Sequence, residues 1–143
     1  MIFGIGTDIV RVARMQKNLD RYGERFAERI LAESERPGFH NTRRKAHYLA
    51  KRFAAKEAAA KAMGTGFTAG LAFHHIAVDH EPAGRPVLAF SGQAAAFMQA
   101  NGIRSAHLSL SDEDEYAIAY VVLVRDEGRG ARSQENRDFG SDL

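Results

Sequence analysis

The run Arg52-Phe53-Ala54-Ala55-Lys56-Glu57-Ala58-Ala59-Ala60-Lys61-Ala62-Met63-Gly64-Thr65-Gly66 leaves this chain few choices. Alanine, lysine and glutamate are strong helix formers, and glycine closes a helix in the left-handed conformation without strain. The run therefore predicts a helix that stops at Gly64. Residues four apart share a helix face, which lines up Phe53, Glu57 and Lys61. An acid and a base on one face, beside a Gly-Thr-Gly turn, can hold a metal and a phosphate together. The same pair also reads as a solvated Glu–Lys contact on an ordinary helix. A second acid near the N-terminus, in Gly4-Ile5-Gly6-Thr7-Asp8-Ile9-Val10, favours the first reading.

The chain has 143 residues, enough for one domain with a real core, and no cysteine. Disulfides and thiolate zinc sites are thereby excluded, and a reducing cytoplasm is the expected location. The N-terminus lacks a basic segment followed by a long apolar one, and no apolar run approaches the ~20 residues that span a bilayer, so no membrane partner is expected. Residues 1–63 hold fourteen Lys/Arg against seven Asp/Glu, whereas 64–143 hold six against eleven. A basic front half points to an anionic partner: phosphate, nucleic acid or an acidic protein. The total of +2 argues against bulk nucleic-acid binding.

Hydrophobic patterning predicts a buried strand over 2–6 and helix over 13–31, broken at Gly23. Arg36-Pro37-Gly38 reads as a turn, and Thr42 as the cap of the long helix that ends at Gly64. Strands are expected over 74–80 and 86–90 around the turn 81–84, with His74-His75 opening the first. A helix over 92–101 behind Ser91 follows, then strands over 106–111 and 116–124. Strands that follow one another without βαβ alternation favour an α+β fold with an antiparallel sheet and the long helix packed against it. Apolar content collapses after Arg125, which sets a domain at 1–125 and leaves 126–143 as a disordered tail or a docked extension.

Several constellations have plainer readings. Gly4-x-Gly6 lacks the third glycine of a dinucleotide fingerprint. Asp8, just past the expected first strand, could cap a helix instead of serving a site. The six histidines show no zinc-type spacing. His107, on the same side of its strand as Ser109, is a candidate site wall or a hydrogen-bonded structural residue. Asp112–Glu115 reads as a solvated turn, without the glycine and distal glutamate of an EF-hand loop. Arg43, Arg44, Lys45, Lys51, Arg52 and Lys56 could serve a polyphosphate, a protein partner or solvent. Arg14, Lys17 and Arg21 lie near one helix face.

Together the Gly4–Val10 and Arg52–Gly66 segments resemble the two signatures of the phosphopantetheinyl transferases, specifically the short branch that modifies acyl carrier protein. Leu71-Ala72-Phe73, Gly84-Arg85-Pro86 and His107–Glu113 fall where that branch has similar segments. The resemblance covers about residues 1–125. Arg11 departs from it where an acid is common, and Met63 where an aromatic is frequent. It implies transfer of the 4′-phosphopantetheine arm of coenzyme A to a serine of apo acyl carrier protein in fatty acid synthesis, with release of 3′,5′-ADP. By motif position, Asp8 and Glu57 would hold Mg2+, Lys61 would contact the phosphates, and Gly64-Thr65-Gly66 would let backbone approach the coenzyme. Arg43, Arg44 and Lys45 would serve the 3′-phosphate, Arg52 the pyrophosphate side, and Pro86, His107 and Ser109 the rest of the coenzyme pocket. Glu57 or a water beside the metal would take the serine's proton, with His107 as an alternative.

Two carboxylates suit magnesium, which keeps several waters and phosphate oxygens in its shell. Carrier proteins are acidic helical bundles, so Arg14, Arg21 and Arg25 are expected to form the docking face. The resemblance further implies that each chain is one pseudo-half and that three chains form a homotrimer with sites between subunits. Two competing readings keep part of this picture. One is the same chemistry on carrier domains of larger synthases; the other is a non-catalytic module that binds an acidic partner.

Overall fold

A computed structural model describes residues 1–125 of the chain. Strand β1 (Ile2–Arg11) leads into helices α1 (Val12–Tyr22) and α2 (Glu24–Ile30). A 3-10 turn (Glu33–Glu35), a short helix α3 (Arg36–Asn41) and the long helix α4 (Lys45–Met63) follow. A second 3-10 turn (Phe73–His75) precedes β2 (Ile76–His80) and β3 (Pro86–Phe90). Helix α5 (Gly92–Ala100) and strands β4 (Ile103–Asp112) and β5 (Tyr116–Arg125) complete it. The strands form an antiparallel sheet of order β1-β5-β4 and a separate β2-β3 hairpin. This is the α+β class expected from the sequence, with α4 across the three-stranded sheet.

The sequence pattern explains how α4 reaches the sheet. Alternate residues of a strand share a face, and on β1 that face carries Gly4, Gly6, Asp8 and the buried Val10. A Cβ on Gly4 would stand 2.0 Å from the Ala62 carbonyl oxygen, and one on Gly6 would stand 1.9 Å from that of Ala58. The two glycines are therefore the space in which α4 lies. Ala117, Ala119, Val121 and Leu123 of β5 extend the same buried face. Met15, Leu31, Leu49 and Ile76 fill the core around the rest of the helix.

Several expectations need correction. β1 does not stop at residue 6, and Asp8 lies inside it, paired with Ala119, so it caps no helix. Nor is Arg36-Pro37-Gly38 a turn; it is the first half of α3. Proline's missing N–H costs nothing in the first turn of a helix. α4 starts at Lys45 rather than at Thr42, whose hydroxyl instead accepts the Arg44 N–H at 3.1 Å. His74 and His75 lie in a 3-10 turn, before the strand they were expected to open. The break at Gly23 is real, with φ +65°. The expected tail, 126–143, lies outside the described residues. No helix among the described residues is long and apolar enough to cross a membrane.

Candidate active site

Asp8 and Glu57 meet because β1 and α4 are packed at glycine distance. Gly4 and Gly6 set the helix on the strand, and the next residue along that face of β1 is Asp8. Lys61 Nζ donates to Asp8 Oδ1 at 3.0 Å and to the Thr7 carbonyl at 3.0 Å. An ammonium has three N–H donors, so one is left to face an incoming ligand, and the side chain is about half exposed. Glu57 is half-buried and takes no hydrogen bond or ion pair from the described residues. Burial first, and the charge of Asp8 second, raise its carboxyl above the ordinary value, against the pull of Lys61 and Arg14.

This donor set fits a small hard cation. Two carboxylates repel each other across the β1–α4 junction, one of them has no partner, and Lys61 supplies a single positive charge. Magnesium takes one or two protein carboxylates and fills its remaining positions with water and phosphate oxygens. Among the described residues no group of three or more His, Cys, Asp or Glu side chains converges, which is the pattern an all-protein cage would need.

The turn beyond α4 is built for close approach. Gly64 caps the helix in the left-handed conformation at φ +80°, and Gly66 follows at φ +60°. The Thr68 hydroxyl donates to the Thr65 carbonyl at 2.9 Å and braces the loop. A helix C-terminus carries partial negative charge, so an anion held at this end depends on the Lys61 ammonium.

Other candidates lie elsewhere in the chain. Arg43, Arg44 and Lys45 stand at the opposite end of α4, about 18 Å along the helix axis from Glu57. Lys45 Nζ is committed to the Phe39 and Thr42 carbonyls at 3.0 and 2.8 Å, and exposed Arg44 lies 3.7 Å from Asp114. Pro86 opens β3 in the separate hairpin. His107 and Ser109 are exposed on the sheet face that points away from α4, level with Val122 and Tyr120. Of the docking arginines, Arg14 packs its guanidinium 5.4 Å from the Phe53 ring and borders the site, while Arg21 and Arg25 are exposed on α1 and α2.

Arg52 and Lys56 point the other way from Glu57, into a buried cluster around Glu35, which no sequence pattern singled out. Lys56 is fully buried; its Nζ donates to Glu35 Oε1 at 2.6 Å, to the Phe73 carbonyl at 3.2 Å and to the Ile76 carbonyl. Burial pushes the Lys56 ammonium below the ordinary lysine value, with Glu35 opposing it. Glu35 also accepts the Ala32 and Val78 N–H groups at 2.8 and 3.1 Å. Arg52 Nε stands 3.3 Å from Glu35 Oε2, and its guanidinium lies 3.6 Å from the Tyr48 ring centroid. Lys56 therefore serves neither solvent nor polyphosphate. Arg52 is nearly as deep and faces Glu35 rather than Asp8 and Glu57. Glu35 stands two residues before Pro37 in a short polar stretch, and nothing in such a stretch marks a core acid.

The sequence model of the 4′-phosphopantetheinyl transferase superfamily matches residues 4–121. The chain belongs to that superfamily. It is similar to a holo-[acyl-carrier-protein] synthase of Vibrio cholerae, at 50% identity over 125 residues that cover 87% of this chain and 99% of that protein. Among solved structures, the holo-[acyl-carrier-protein] synthase of Neisseria meningitidis superposes with a TM-score of 0.83 at 40% identity, over 87% of this chain and 100% of that one. A Bacillus anthracis holo-(acyl-carrier-protein) synthase, solved in complex with CoA (3′,5′-ADP), gives a TM-score of 0.74 at 39% identity over 88% and 99%. For this phosphopantetheinyl transferase superfamily member, the match takes in both strand β1 from Gly4 and the whole of α4.

Proposed function

We propose that this protein is a holo-[acyl-carrier-protein] synthase: it transfers 4′-phosphopantetheine from coenzyme A to a serine of apo acyl carrier protein. The observation that carries the reading is the Asp8–Glu57–Lys61 cluster at the β1–α4 junction, in a chain of this superfamily. The unit proposed to do this is residues 1–125. In the reaction, a bond forms between the serine oxygen and the phosphorus that bears the pantetheine. The bond from that phosphorus to 3′,5′-ADP breaks, and the ADP leaves with the electron pair.

Asp8 and Glu57 would hold Mg2+, which supplies charge neutralisation across the pyrophosphate. The free N–H of Lys61 meets the phosphate on which negative charge grows, in a site pre-set by its bonds to Thr7 and Asp8. Gly64-Thr65-Gly66 offers backbone that the coenzyme can approach without meeting a Cβ. Glu57, or a water beside the metal, would take the serine proton. Arg14 beside this site, with the exposed Arg21 and Arg25 farther along α1 and α2, supplies positive charge suited to an acidic helical partner by long-range attraction.

The remaining coenzyme contacts support a homotrimer. His107 and Ser109 lie on the far face of the sheet, and Arg43, Arg44 and Lys45 at the far end of α4. One chain does not bring them to Asp8 and Glu57, whereas a neighbouring copy can. The face that carries His107 is also apolar: Ile5, Ile9, Ile118 and Tyr120 are 56%, 60%, 42% and 45% exposed. Side chains of that size in one uncovered patch mark an interface. Ile118→Asp is expected to convert a trimer to monomers in equilibrium sedimentation and to remove transferase activity with it. A single-chain mass for the unchanged protein would rule out the trimer.

Incubation with coenzyme A, Mg2+ and apo acyl carrier protein tests the function directly. The expected result is a carrier heavier by one phosphopantetheine, an absolute need for the divalent ion shown by chelation and re-addition, and a rate that falls with ionic strength. Unmodified carrier under these conditions would defeat the reading.

A further inference from the structure

Helix α4 meets strand β1 through a contact with little relief. On the helix side stand Ala58 and Ala62, and on the strand side Gly4 and Gly6, with Val121 and Leu123 beside them on β5. Helices find their angle by fitting side-chain ridges into grooves. Methyl groups on glycine bring the backbones close, yet they offer few ridges to fix how far the helix is rolled about its axis. The aim of Glu57 and Lys61 depends on that roll.

A different part of the same helix has specific partners. The three N–H donors of Lys56 are all used, on Glu35 and on the carbonyls of Phe73 and Ile76. Both oxygens of Glu35 are used in turn, on Lys56 and Ala32 and on Val78. These partners belong to the two 3-10 turns and β2, and none belongs to β1. Fully buried polar groups demand particular partners in a way that apolar contact does not, because each broken bond leaves a desolvated charge. Lys56 and Glu57 are consecutive, about 100° apart around the helix. To hold the one in place is to aim the other.

From this geometry we infer that the buried Glu35–Lys56 pair is a positioning device for the transferase site, one that sets the roll of α4 and thereby the aim of Glu57 and Lys61 at Asp8. The inference rests on the functional reading above. A roll of roughly 10° at a side-chain radius of about 5–6 Å moves a carboxylate by about 1 Å. A misplacement of that size is enough to lower a rate on the order of 10²-fold.

Two variants separate positioning from simple support of the fold. Lys56→Met leaves Glu35 buried with Arg52 as its one cationic neighbour, so it is paired with the double variant Glu35→Leu/Lys56→Met, which removes both charges of the pair and leaves Arg52 stacked on Tyr48. Each is compared with the unchanged protein at a temperature where circular dichroism shows it folded. Mn2+ binding in the presence of coenzyme A is followed by the electron spin resonance of the free ion, and kcat and KM for coenzyme A are measured alongside. The expected result for the double variant is a native spectrum, Mn2+ affinity weaker by at least tenfold, and kcat lower by 10- to 100-fold with little change in KM.

A folded double variant with unchanged Mn2+ affinity and kcat overturns the inference. So does a double variant that cannot fold, since the cluster then carries the fold as a whole. Unchanged protein that modifies no carrier at all defeats the functional reading, and the inference resting on it falls too, a result distinct from either arm.

Discussion

Glu57→Ala is expected to lower the rate of phosphopantetheine transfer by at least about 10²–10³-fold while the protein stays folded. One carboxylate beside Lys61 neither holds a divalent ion well nor balances the pyrophosphate, so the charge growing on the leaving phosphate loses its main counterweight. Stability should move the other way or not at all. The Glu57 carboxyl is raised in the folded chain, by burial and by Asp8. A raised carboxyl means that the folded state holds this proton more tightly than the unfolded state does. Above the ordinary carboxylate range the ionised Glu57 therefore subtracts from stability, and its removal relieves a repulsion. The discriminating measurement is carrier modification by mass spectrometry, beside urea denaturation of the same sample at neutral pH. Full modification by the alanine variant would remove Glu57 from the site. A large drop in stability would show instead that its carboxylate supports the fold.

Gly6→Ala tests the other half of the site, the strand on which the helix lies, and here the expected loss is structural. The added Cβ would stand 1.9 Å from the Ala58 carbonyl oxygen and 2.7 Å from the Ala62 N–H nitrogen. Both are backbone atoms of α4, so no side chain can rotate away, and helix and strand must part by more than an ångström. Overpacking of a tight core commonly costs about 1–3 kcal/mol, and a clash with backbone on both sides belongs above that range. Set against a total of about 5–15 kcal/mol for a typical domain, a loss beyond about 3 kcal/mol leaves a much smaller folded reserve. The midpoint of urea denaturation should fall accordingly. Any protein that remains folded should also lose activity, because the same movement carries Glu57 and Lys61 away from Asp8. A Gly6→Ala variant of unchanged stability and rate would show that α4 does not need the strand at this distance.

The two predictions differ in how much of their basis can be read from residues alone. The Ala/Lys/Glu run and its Gly64 stop dictate a helix by local propensity, and the enrichment of 116–124 in Val, Ile and Tyr dictates a strand. Each of those forces acts within a few residues of where it is written. The acid pair was legible too, since Asp8 and Glu57 sit in segments of specific resemblance. The extent of β1 was not. Glycines at 4 and 6 weaken a strand judged by itself, and only the helix lying on them makes glycine the right residue there. Arg52 and Lys56 look on the page like their solvated neighbours Lys51 and Lys61. Periodicity gives the face they share, and it says nothing of what that face meets.

What the sequence determined by itself is most of the elements, the α+β class and the residue types offered at Asp8, Glu57, Lys61 and the Gly64-Thr65-Gly66 turn. Local propensity and motif spacing are short-range properties, and a chain carries them whether or not it is folded. The tertiary structure alone decided the burial of Lys56 on Glu35, the closeness of β1 to α4, and the placing of His107 and Ser109 on the sheet's far face. Each of these depends on which surfaces meet across many intervening residues. Burial then assigns the roles: a lysine among carbonyls and a carboxylate in the core becomes a fixed support, whereas an identical side chain five residues on, at the open edge of β1, is left with a donor to offer.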